Sequence, residues 1–196
     1  KGITDYELIV HGRAAHAGVE PERGRNAVLE AAHKVIALQA LNGRWPGVTV
    51  NVGAVQGGTR TNVVPAACRL QVDLRAPGLA ASRQAEADIE RICAETTVAD
   101  TIVEVTGHGR HRPMEKGEAA ERLVNIAVGI AGELGFELRD AATGGASDAN
   151  TTSAAGTPTL DGLGPVGGDD HAPGEWLDLT SVVPRISLLA GLIARA

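Results

Sequence analysis

The strongest constraint on the fold of this chain is the strict alternation of apolar and polar side chains over residues 68–75. The segment CRLQVDLR places four apolar residues on one side and four polar or charged residues on the other. Because successive side chains of a strand point to opposite faces, this pattern predicts a β-strand with one buried and one solvated face. A shorter alternation over residues 48–52 predicts a second strand, and the segments TDYELIVH at 4–11 and TIVEVT at 101–106 are also strand-like.

Two segments between these strands have helical periodicity instead. Apolar residues recur at intervals of three and four within Asn26–Leu41 and within Ala85–Cys93, which predicts two amphipathic helices. The resulting order is β-α-β-β-α-β, the split βαβ or ferredoxin-like arrangement, over residues 1–112. The fold class is therefore α+β for this domain. The segment HGRHRPMEKGE, centred on Pro113, is predicted to be a linker.

The remainder of the chain, residues 113–196, has a different pattern of predicted helices and strands. Helical spacing over residues 117–134 and 180–194 brackets two short segments, FELRD at 136–140 and TPTLDGL at 157–163, which predict short strands. The alternation of helices and strands predicts part of an α/β layered domain. Two short strands make a poor sheet, so this half is expected to be incomplete.

Composition and charge exclude several classes of function. The chain carries 18 Lys and Arg residues against 24 Asp and Glu residues, a formal net charge of −6, and it has only four aromatic residues. An acidic chain without a basic run is a poor binder of nucleic-acid phosphates, and so few aromatics cannot build a base-stacking platform. No apolar run reaches the roughly 18 residues that a membrane span needs. We expect neither nucleic acid nor a membrane as a partner.

The two cysteines, Cys68 and Cys93, are too few for a disulfide scaffold, and both lie in apolar-periodic segments. We therefore expect buried, reduced thiols and a cytoplasmic protein. The chain does not begin with methionine, and its single methionine is Met114. We expect a processed chain or a piece of a longer one.

Two histidines lie in loops whose composition is compatible with chemistry. His171 follows two aspartates in GGDDHAPGE, where imidazole and carboxylates could ligate a metal, although an acidic surface loop has the same composition. His16, in GRAAHAG, has small neighbours that leave its ring accessible as an acid, a base or an oxyanion donor, or simply as a solvated histidine. From the residues alone, both alternatives stay open at each position.

Polar groups at other loop and strand ends also have two interpretations. Asn62 can cap a turn or present its amide to a carboxylate. Arg75 can bind a carboxylate with two guanidinium nitrogens or stay solvated at a strand end. The segment GGASD at 144–148 opens a helix whose free N–H groups suit an anion. A nucleophile elbow of the form G-x-S-x-G is missing there, so no serine triad is predicted.

Four motifs follow one another along the chain: HGRAAHAGVEPERGRNAVLEA, GGTRTNVVPAACRLQVDLRAP, GGASDANTTSAAGTP and LGPVGGDDHAPGEWLDLTSVVPRISLLAGLI. Together they resemble the dinuclear zinc carboxypeptidase and deacylase family, which includes glutamate carboxypeptidase, acetylornithine deacetylase, succinyl-diaminopimelate desuccinylase and aminoacylase. That family has a zinc-binding α/β catalytic domain interrupted by a ferredoxin-like lid that usually dimerises. By this resemblance, residues 1–112 correspond to the lid and dimerisation domain, and residues 113–196 to the C-terminal portion of the catalytic domain.

The resemblance implies a role for each candidate residue. His171 matches the C-terminal zinc ligand. Glu175 matches an acidic residue that orients this ligand without binding the metal itself. His16 matches the lid histidine that reaches into the partner's active site and polarises the scissile carbonyl. The other matches are substrate-binding residues: Asn62 and Arg75, which hold the substrate carboxylate, and Gly145, Ser147 and Asp148 in the loop beside the substrate.

The family's N-terminal half supplies an H-x-D motif, a Glu-Glu pair and the other zinc ligands, and this sequence contains neither motif. The resemblance implies an enzyme with two zinc ions in each protomer that cleaves the amide bond of an N-acyl amino acid or a C-terminal amino acid. This chain alone is predicted to be inactive and to retain little or no zinc.

The resemblance also implies a homodimer formed through helix 26–41 and strand 48–52. A catalytic half without its sheet partners should expose apolar surface on helices 117–134 and 180–194. The alternative is a non-catalytic ferredoxin-like module for dimerisation or small-ligand sensing.

Overall fold

A computed structural model describes residues 1–195, except for the side chain of Arg110. The packing of the backbone divides the chain into two compact units. The first comprises Lys1–Met114 together with Gly144–Ala146, and the second comprises Glu115–Thr143 and the chain from Ser147 onward.

The first unit contains the four strands and two helices that the periodicity predicts. In chain order they are β1 (Gly2–His11), α1 (Ala27–Gln39), β2 (Thr49–Gly57), β3 (Ala67–Ala76), α2 (Leu79–Ala94) and β4 (Ile102–His111). The strands form one antiparallel sheet in the order β2-β3-β1-β4. This strand order, with helices as the two crossovers, confirms the ferredoxin-like α+β fold.

The alternation in β3 positions the core of this unit. Its apolar residues, such as the fully buried Leu70, form one cluster with β1, α1 and α2, which contribute Leu8, Leu38 and Ile89 among others. The polar positions of β3 lie on the other face of the sheet. Both cysteines are buried free thiols, as expected, and burial raises the pKa of the Cys93 thiol to about 11.

Strand β4 extends further than its sequence pattern indicates. The predicted strand ends at Thr106 and the predicted linker begins at His108, yet the strand continues to His111. The extension pairs with the start of β1, where a register shift sets Asp5 opposite His108 and Ile3 opposite His111. A polar, glycine-containing segment becomes a strand here because its neighbour supplies the hydrogen bonds.

Within the described residues, the second unit contains three α-helices and one short hairpin. These are α3 (Glu118–Glu133), α4 (Asp148–Ala154), β5 (Gly167–Gly168), β6 (Trp176–Leu177) and α5 (Val182–Arg195). Helices α3 and α5 pack against each other through a small apolar core of Ala127, Ile130, Ala131, Leu188 and Leu192.

Neither of the two short strands predicted for this unit forms. Residues 136–140 and 157–163 have no strand partner anywhere in the described chain, although Leu138 and Leu160 pack against the α3–α5 core. A strand needs a neighbour to satisfy its backbone N–H and C=O groups. Apolar content alone was therefore a misleading signal at these two places.

Helix α5 carries a second apolar face that stays exposed. Val183, Ile186, Leu189 and Ile193 recur at helical spacing, and each is at least 45 % exposed. The expected exposure of apolar surface on this helix is therefore confirmed. Among residues 1–195, no helix combines the length and the apolarity that crossing a membrane requires.

Candidate functional site

His16 lies in a closed loop between β1 and α1. Two backbone hydrogen bonds of 2.9 Å between Arg13 and Arg25 join the two sides of the loop. The Arg25 guanidinium pairs with Asp100 at 2.8 Å and also donates to two carbonyl groups of the loop, at 3.0 and 2.7 Å. The loop is therefore held at its base by both backbone and side chain.

The imidazole of His16 is exposed at the outer end of this loop. The Gly18 N–H donates to its Nδ1 at 3.1 Å. Its Nε2 makes no hydrogen bond or ion pair with the part of the chain that the structure describes. One ring nitrogen is thus held by the backbone and the other is accessible to a ligand.

The structure brings Asn62 directly beside His16. Asn62 lies in the loop between β2 and β3, and the next residue, Val63, forms an isolated antiparallel bridge with His16. The Ala17 N–H donates to the Asn62 carbonyl at 3.0 Å, and a second backbone bond of 2.9 Å flanks the bridge. Both side chains are exposed, and the backbone bonds bring the two loops that carry them next to each other.

Arg75 lies at the other end of β3. Its Nε donates to both carboxylate oxygens of Asp73, at 3.0 and 3.2 Å, and its Nη1 donates to the Gly144 carbonyl at 3.0 Å. The hydrogen bond to Asp73 raises the pKa of the Arg75 guanidinium, and the nearby charge of Asp5 adds to this effect. Arg75 is a fixed cation beside the start of the 144–148 loop.

One chain does not bring Asn62 and Arg75 to the same place. Strand β3 begins at Ala67, which pairs with His11 close to the His16 loop, and Arg75 lies near the far end of the strand. At about 3.3 Å per residue, the two ends of the strand are about 26 Å apart. The prediction that both residues hold one substrate carboxylate therefore needs residues from two chains, because an extended strand carries its ends apart.

Ser147 caps the N-terminus of the short helix α4. Its hydroxyl accepts from a backbone N–H of the first turn at 3.1 Å and donates to Asp161 at 2.7 Å. The Asn150 side chain accepts from the Ser147 N–H at 3.0 Å, which completes a capping box. The Ser147 hydroxyl proton is used within the chain, whereas Asp148 and Gly145 are exposed.

His171 lies at the tip of the β5–β6 hairpin with its side chain exposed. Its backbone φ is 64°, and that of Asp169 is 58°. Such left-handed values are uncommon outside glycine, and they concentrate at functional sites. The hairpin closes tightly because Gly168 packs on the Trp176 ring, where a Cβ would lie 2.9 Å from ring atoms.

The acidic hairpin does not by itself complete a metal site. No three His, Cys, Asp or Glu side chains among residues 1–195 lie close enough together to hold a metal ion. Glu175 is exposed on the same hairpin as His171. A zinc site needs three or four ligands, and the described residues do not assemble that number.

Two residues of the His16 loop were not predicted from the sequence. Gly18 binds the imidazole, and Arg25 closes the loop on Asp100. The sequence signal that could have pointed to Arg25 is its position after a glycine and directly before Asn26, the residue that caps α1. The partner of Arg25 is 75 residues away in the sequence, so no local pattern reveals it.

The ferredoxin-like unit matches a known class of domain. The family model described as "Peptidase dimerisation domain" matches residues 1–101, which include all of β1–α2 and the loops of His16 and Asn62. The chain therefore belongs to the M20 peptidase dimerisation-domain family.

Two curated relatives show the range of sequence similarity. Carboxypeptidase G2 from Pseudomonas sp. strain RS-16 is 28 % identical over 197 residues, covering 98 % of this chain and 47 % of the relative. The indole-3-acetyl-aspartic acid hydrolase of Enterobacter agglomerans is 48 % identical over 73 residues, covering 37 % of this chain and 17 % of the relative. The chain spans about half the length of the curated relatives that it matches from end to end.

Solved structures share the fold over nearly the whole chain. The aminopeptidase PepT from Bacillus cereus has a TM-score of 0.82 at 24 % identity, covering 98 % of this chain and 51 % of that one. A tripeptidase from Staphylococcus aureus has a TM-score of 0.83 at the same identity and coverage. At this level of identity, the similarity establishes the fold alone.

Proposed function

We propose that this chain comprises the dimerisation domain (residues 1–112) and the C-terminal part of the catalytic domain (residues 113–196) of a zinc-dependent amide hydrolase. Its substrate would be an N-acyl amino acid or the C-terminal amino acid of a peptide. The observation that carries this proposal is the backbone bridge that sets His16 beside Asn62 on a domain of the peptidase dimerisation family. The names of the relatives, a carboxypeptidase and an indole-3-acetyl-aspartic acid hydrolase, support the substrate class.

The positions of the candidate residues favour a site shared by two protomers. His16 and Asn62 lie at one end of the sheet, and Arg75 lies about 26 Å away at the other end. Arg75 is bound to Gly144 of its own chain. From the separation along β3 we propose that Arg75 acts in the site of its own protomer, and that His16 and Asn62 act in the site of the partner.

Strand β2 is well suited to pair two copies of the chain. It lies at an edge of the sheet, so one row of its backbone groups has no strand partner among the described residues. Its sequence, TVNVGAVQG, contains none of the charges or prolines that proteins use to keep edge strands apart. The opposite edge, β4, carries Glu104 and His108. Antiparallel pairing of β2 with its symmetry mate would join the two sheets across a two-fold axis.

The exposed face of α1 extends this dimer surface. Leu29 is 48 % exposed and Ile36 is 69 % exposed, two helical turns apart and so on one side of the helix. Helix α1 packs beside β2 in the same unit. A second copy placed across β2 would bring another α1 against these apolar side chains and remove them from water, which is favourable.

In such a dimer, His16 would donate a hydrogen bond to the scissile carbonyl of a substrate bound in the other protomer. A donor held where negative charge develops lowers the barrier to attack on that carbonyl. The Asn62 side chain, in the adjoining loop, would contact the same substrate. The Arg75 guanidinium pairs with the substrate carboxylate, for which its planar pair of N–H groups is suited.

Zinc in this class of enzyme supplies an activated water and polarises the carbonyl. The described residues provide only part of a zinc site. His171 is a single candidate ligand, and no three ligating side chains among these residues lie close together. We therefore propose that the chain by itself binds zinc weakly and does not hydrolyse amides, and that the remaining ligands lie in a half of the catalytic domain outside these 196 residues.

Mixed dimers test the shared site. In an enzyme that joins this chain to the half bearing the H-x-D motif and the Glu-Glu pair, His16→Ala and Arg75→Ala should each abolish most zinc-dependent hydrolysis of N-acyl amino acids. Reassociating the two variants should restore about one quarter of the original activity, because half of randomly paired dimers are mixed and each has one intact site. A site built from a single chain would show no recovery.

A matched pair of variants provides the control. His16→Ala and Asn62→Ala alter the same proposed half-site, so their mixed dimer has a defect in both active sites and should recover nothing. Recovery with this pair would contradict the grouping of His16 with Asn62. If the gene's reading frame does not encode the metal-binding half, the proposal of a zinc-dependent hydrolase is wrong. The alternative of a non-catalytic dimerisation module is then favoured.

A further inference from the structure

We infer that Gly18 is a positioning residue for His16, and that its N–H selects the tautomer in which the imidazole proton is on Nε2. The inference rests on the proposed role of His16 as a hydrogen-bond donor to substrate. A neutral imidazole has one N–H donor and one bare acceptor nitrogen. The Gly18 N–H donates to Nδ1 at 3.1 Å, so Nδ1 is the acceptor and Nε2 carries the proton.

The backbone around Gly18 holds this contact from both sides. The preceding amide, that of Ala17, donates to the Asn62 carbonyl at 3.0 Å. The two following amides, those of Val19 and Glu20, donate to the His16 carbonyl at 3.2 and 3.1 Å. These neighbouring amides are therefore bound elsewhere, and the Gly18 amide is the one aimed at the ring.

The selected tautomer suits the proposed chemistry. With Nδ1 occupied by a backbone donor, the accessible Nε2 presents an N–H to a carbonyl oxygen while the ring stays neutral. A preorganised donor needs no reorientation as the oxyanion forms. If the proton were on Nδ1, the accessible nitrogen would carry a lone pair and would repel the carbonyl oxygen instead of binding it.

Gly18 offers a matched pair of substitutions. A Cβ at this position would lie 3.7 Å from the nearest His16 ring atom, an ordinary contact. Gly18→Ala should therefore keep both the fold of the loop and the N–H donor. Gly18→Pro removes the donor itself.

The test is the tautomer of His16 in the 196-residue chain, measured by long-range ¹H–¹⁵N correlation at about pH 9, where histidine side chains are neutral. We expect the Nε2–H form to dominate at His16, with no change in Gly18→Ala. In Gly18→Pro the ratio of Nε2–H to Nδ1–H should fall about fivefold, as expected for the loss of one ordinary hydrogen bond. An Nδ1–H form in the unsubstituted chain would overturn the inference. So would an unchanged ratio in Gly18→Pro while the Ala17 amide stays protected.

A second measurement covers the case in which proline disrupts the loop. A scalar coupling across the hydrogen bond, between the Gly18 amide nitrogen and Nδ1, is expected in the unsubstituted chain, and its absence would contradict the inference. Neither measurement depends on enzyme activity. Failure here leaves the mixed-dimer result unaffected, whereas failure of the mixed dimers alone contradicts the proposed function and leaves the tautomer result standing.

Discussion

Glu30 and Lys34, one turn apart on α1, form an ion pair of 2.8 Å that is almost completely buried. The other carboxylate oxygen of Glu30 accepts from the Thr97 and Val98 N–H groups at 2.8 and 2.7 Å, and Lys34 also donates to the Glu95 carbonyl. These bonds tie α1 to the segment between α2 and β4. At the scale of single residues, loss of one member of this pair should strongly destabilise the ferredoxin-like unit, because it would leave the other charge buried and unpaired.

Removing one partner of this pair should destabilise the fold. Lys34→Met leaves the Glu30 carboxylate buried without its cation, and we expect a loss of about 3 kcal/mol in the free energy of unfolding at about pH 7. Urea denaturation measures it. The double variant Glu30→Gln, Lys34→Met removes both charges and preserves the packing, so it should be clearly more stable than the single variant. Equal losses in both would contradict the idea that the unpaired charge is the cause.

The same pair predicts how stability depends on pH. Burial opposes the charged form of Glu30, but the Lys34 hydrogen bond and the two backbone donors outweigh it, so its pKa lies below the ordinary 4.5. A lowered folded-state pKa means that the stabilisation is fully present above the ordinary pKa and is lost as the pH falls through the folded value. Unfolding free energies measured from about pH 6 to about pH 3 should therefore fall less in the double variant than in the unsubstituted chain.

At the scale of elements, α1 connects the two functional features of its unit. It begins at the base of the His16 loop, and its exposed face carries Leu29 and Ile36 of the proposed dimer surface. Its start is defined by Asn26, whose side chain accepts from the Leu29 N–H at 3.0 Å. The cap satisfies an amide that the first turn leaves without a helical partner.

Loss of this cap should be measurable in the isolated chain. Asn26→Ala is expected to lower the free energy of unfolding by about 1 kcal/mol, because the Leu29 amide loses its acceptor. Asn26→Asp retains an acceptor oxygen and should cost much less. Thermal or urea unfolding of the two variants compares them directly, and an equal cost would show that the hydrogen bond is not the stabilising feature.

Elements with a strong local pattern were predictable from the sequence, and those defined by a distant partner were not. Helix α1 begins beside Asn26, as predicted, and β3 covers the alternating segment 68–75. The end of β4 depends on pairing with β1, and the predicted strands at 136–140 and 157–163 fail because no neighbour pairs with them in the described chain. Periodicity reports which face of an element is buried, but it does not identify the neighbour.

At the scale of the whole molecule, the same limit applies to the candidate site. The sequence singled out His16, Asn62 and Arg75 separately, and the structure groups the first two and separates the third by the length of β3. That grouping depends on the bridge between His16 and Val63, which belong to loops far apart along the chain. The family resemblance already implied that His16 acts in the partner's site, and the length of β3 adds the separation of Arg75 from His16 and Asn62.

Whether this chain dimerises through α1 and β2 is tested most directly by the molar mass of the 196-residue chain, measured by light scattering. We expect twice the chain mass for the unsubstituted protein and the chain mass for Ile36→Glu. As a matched control, Ile193→Glu places the same charge at a site that is 76 % exposed on α5, and it should remain dimeric. A monomeric unsubstituted chain at high concentration, or a dimer that survives Ile36→Glu, would contradict the proposed interface.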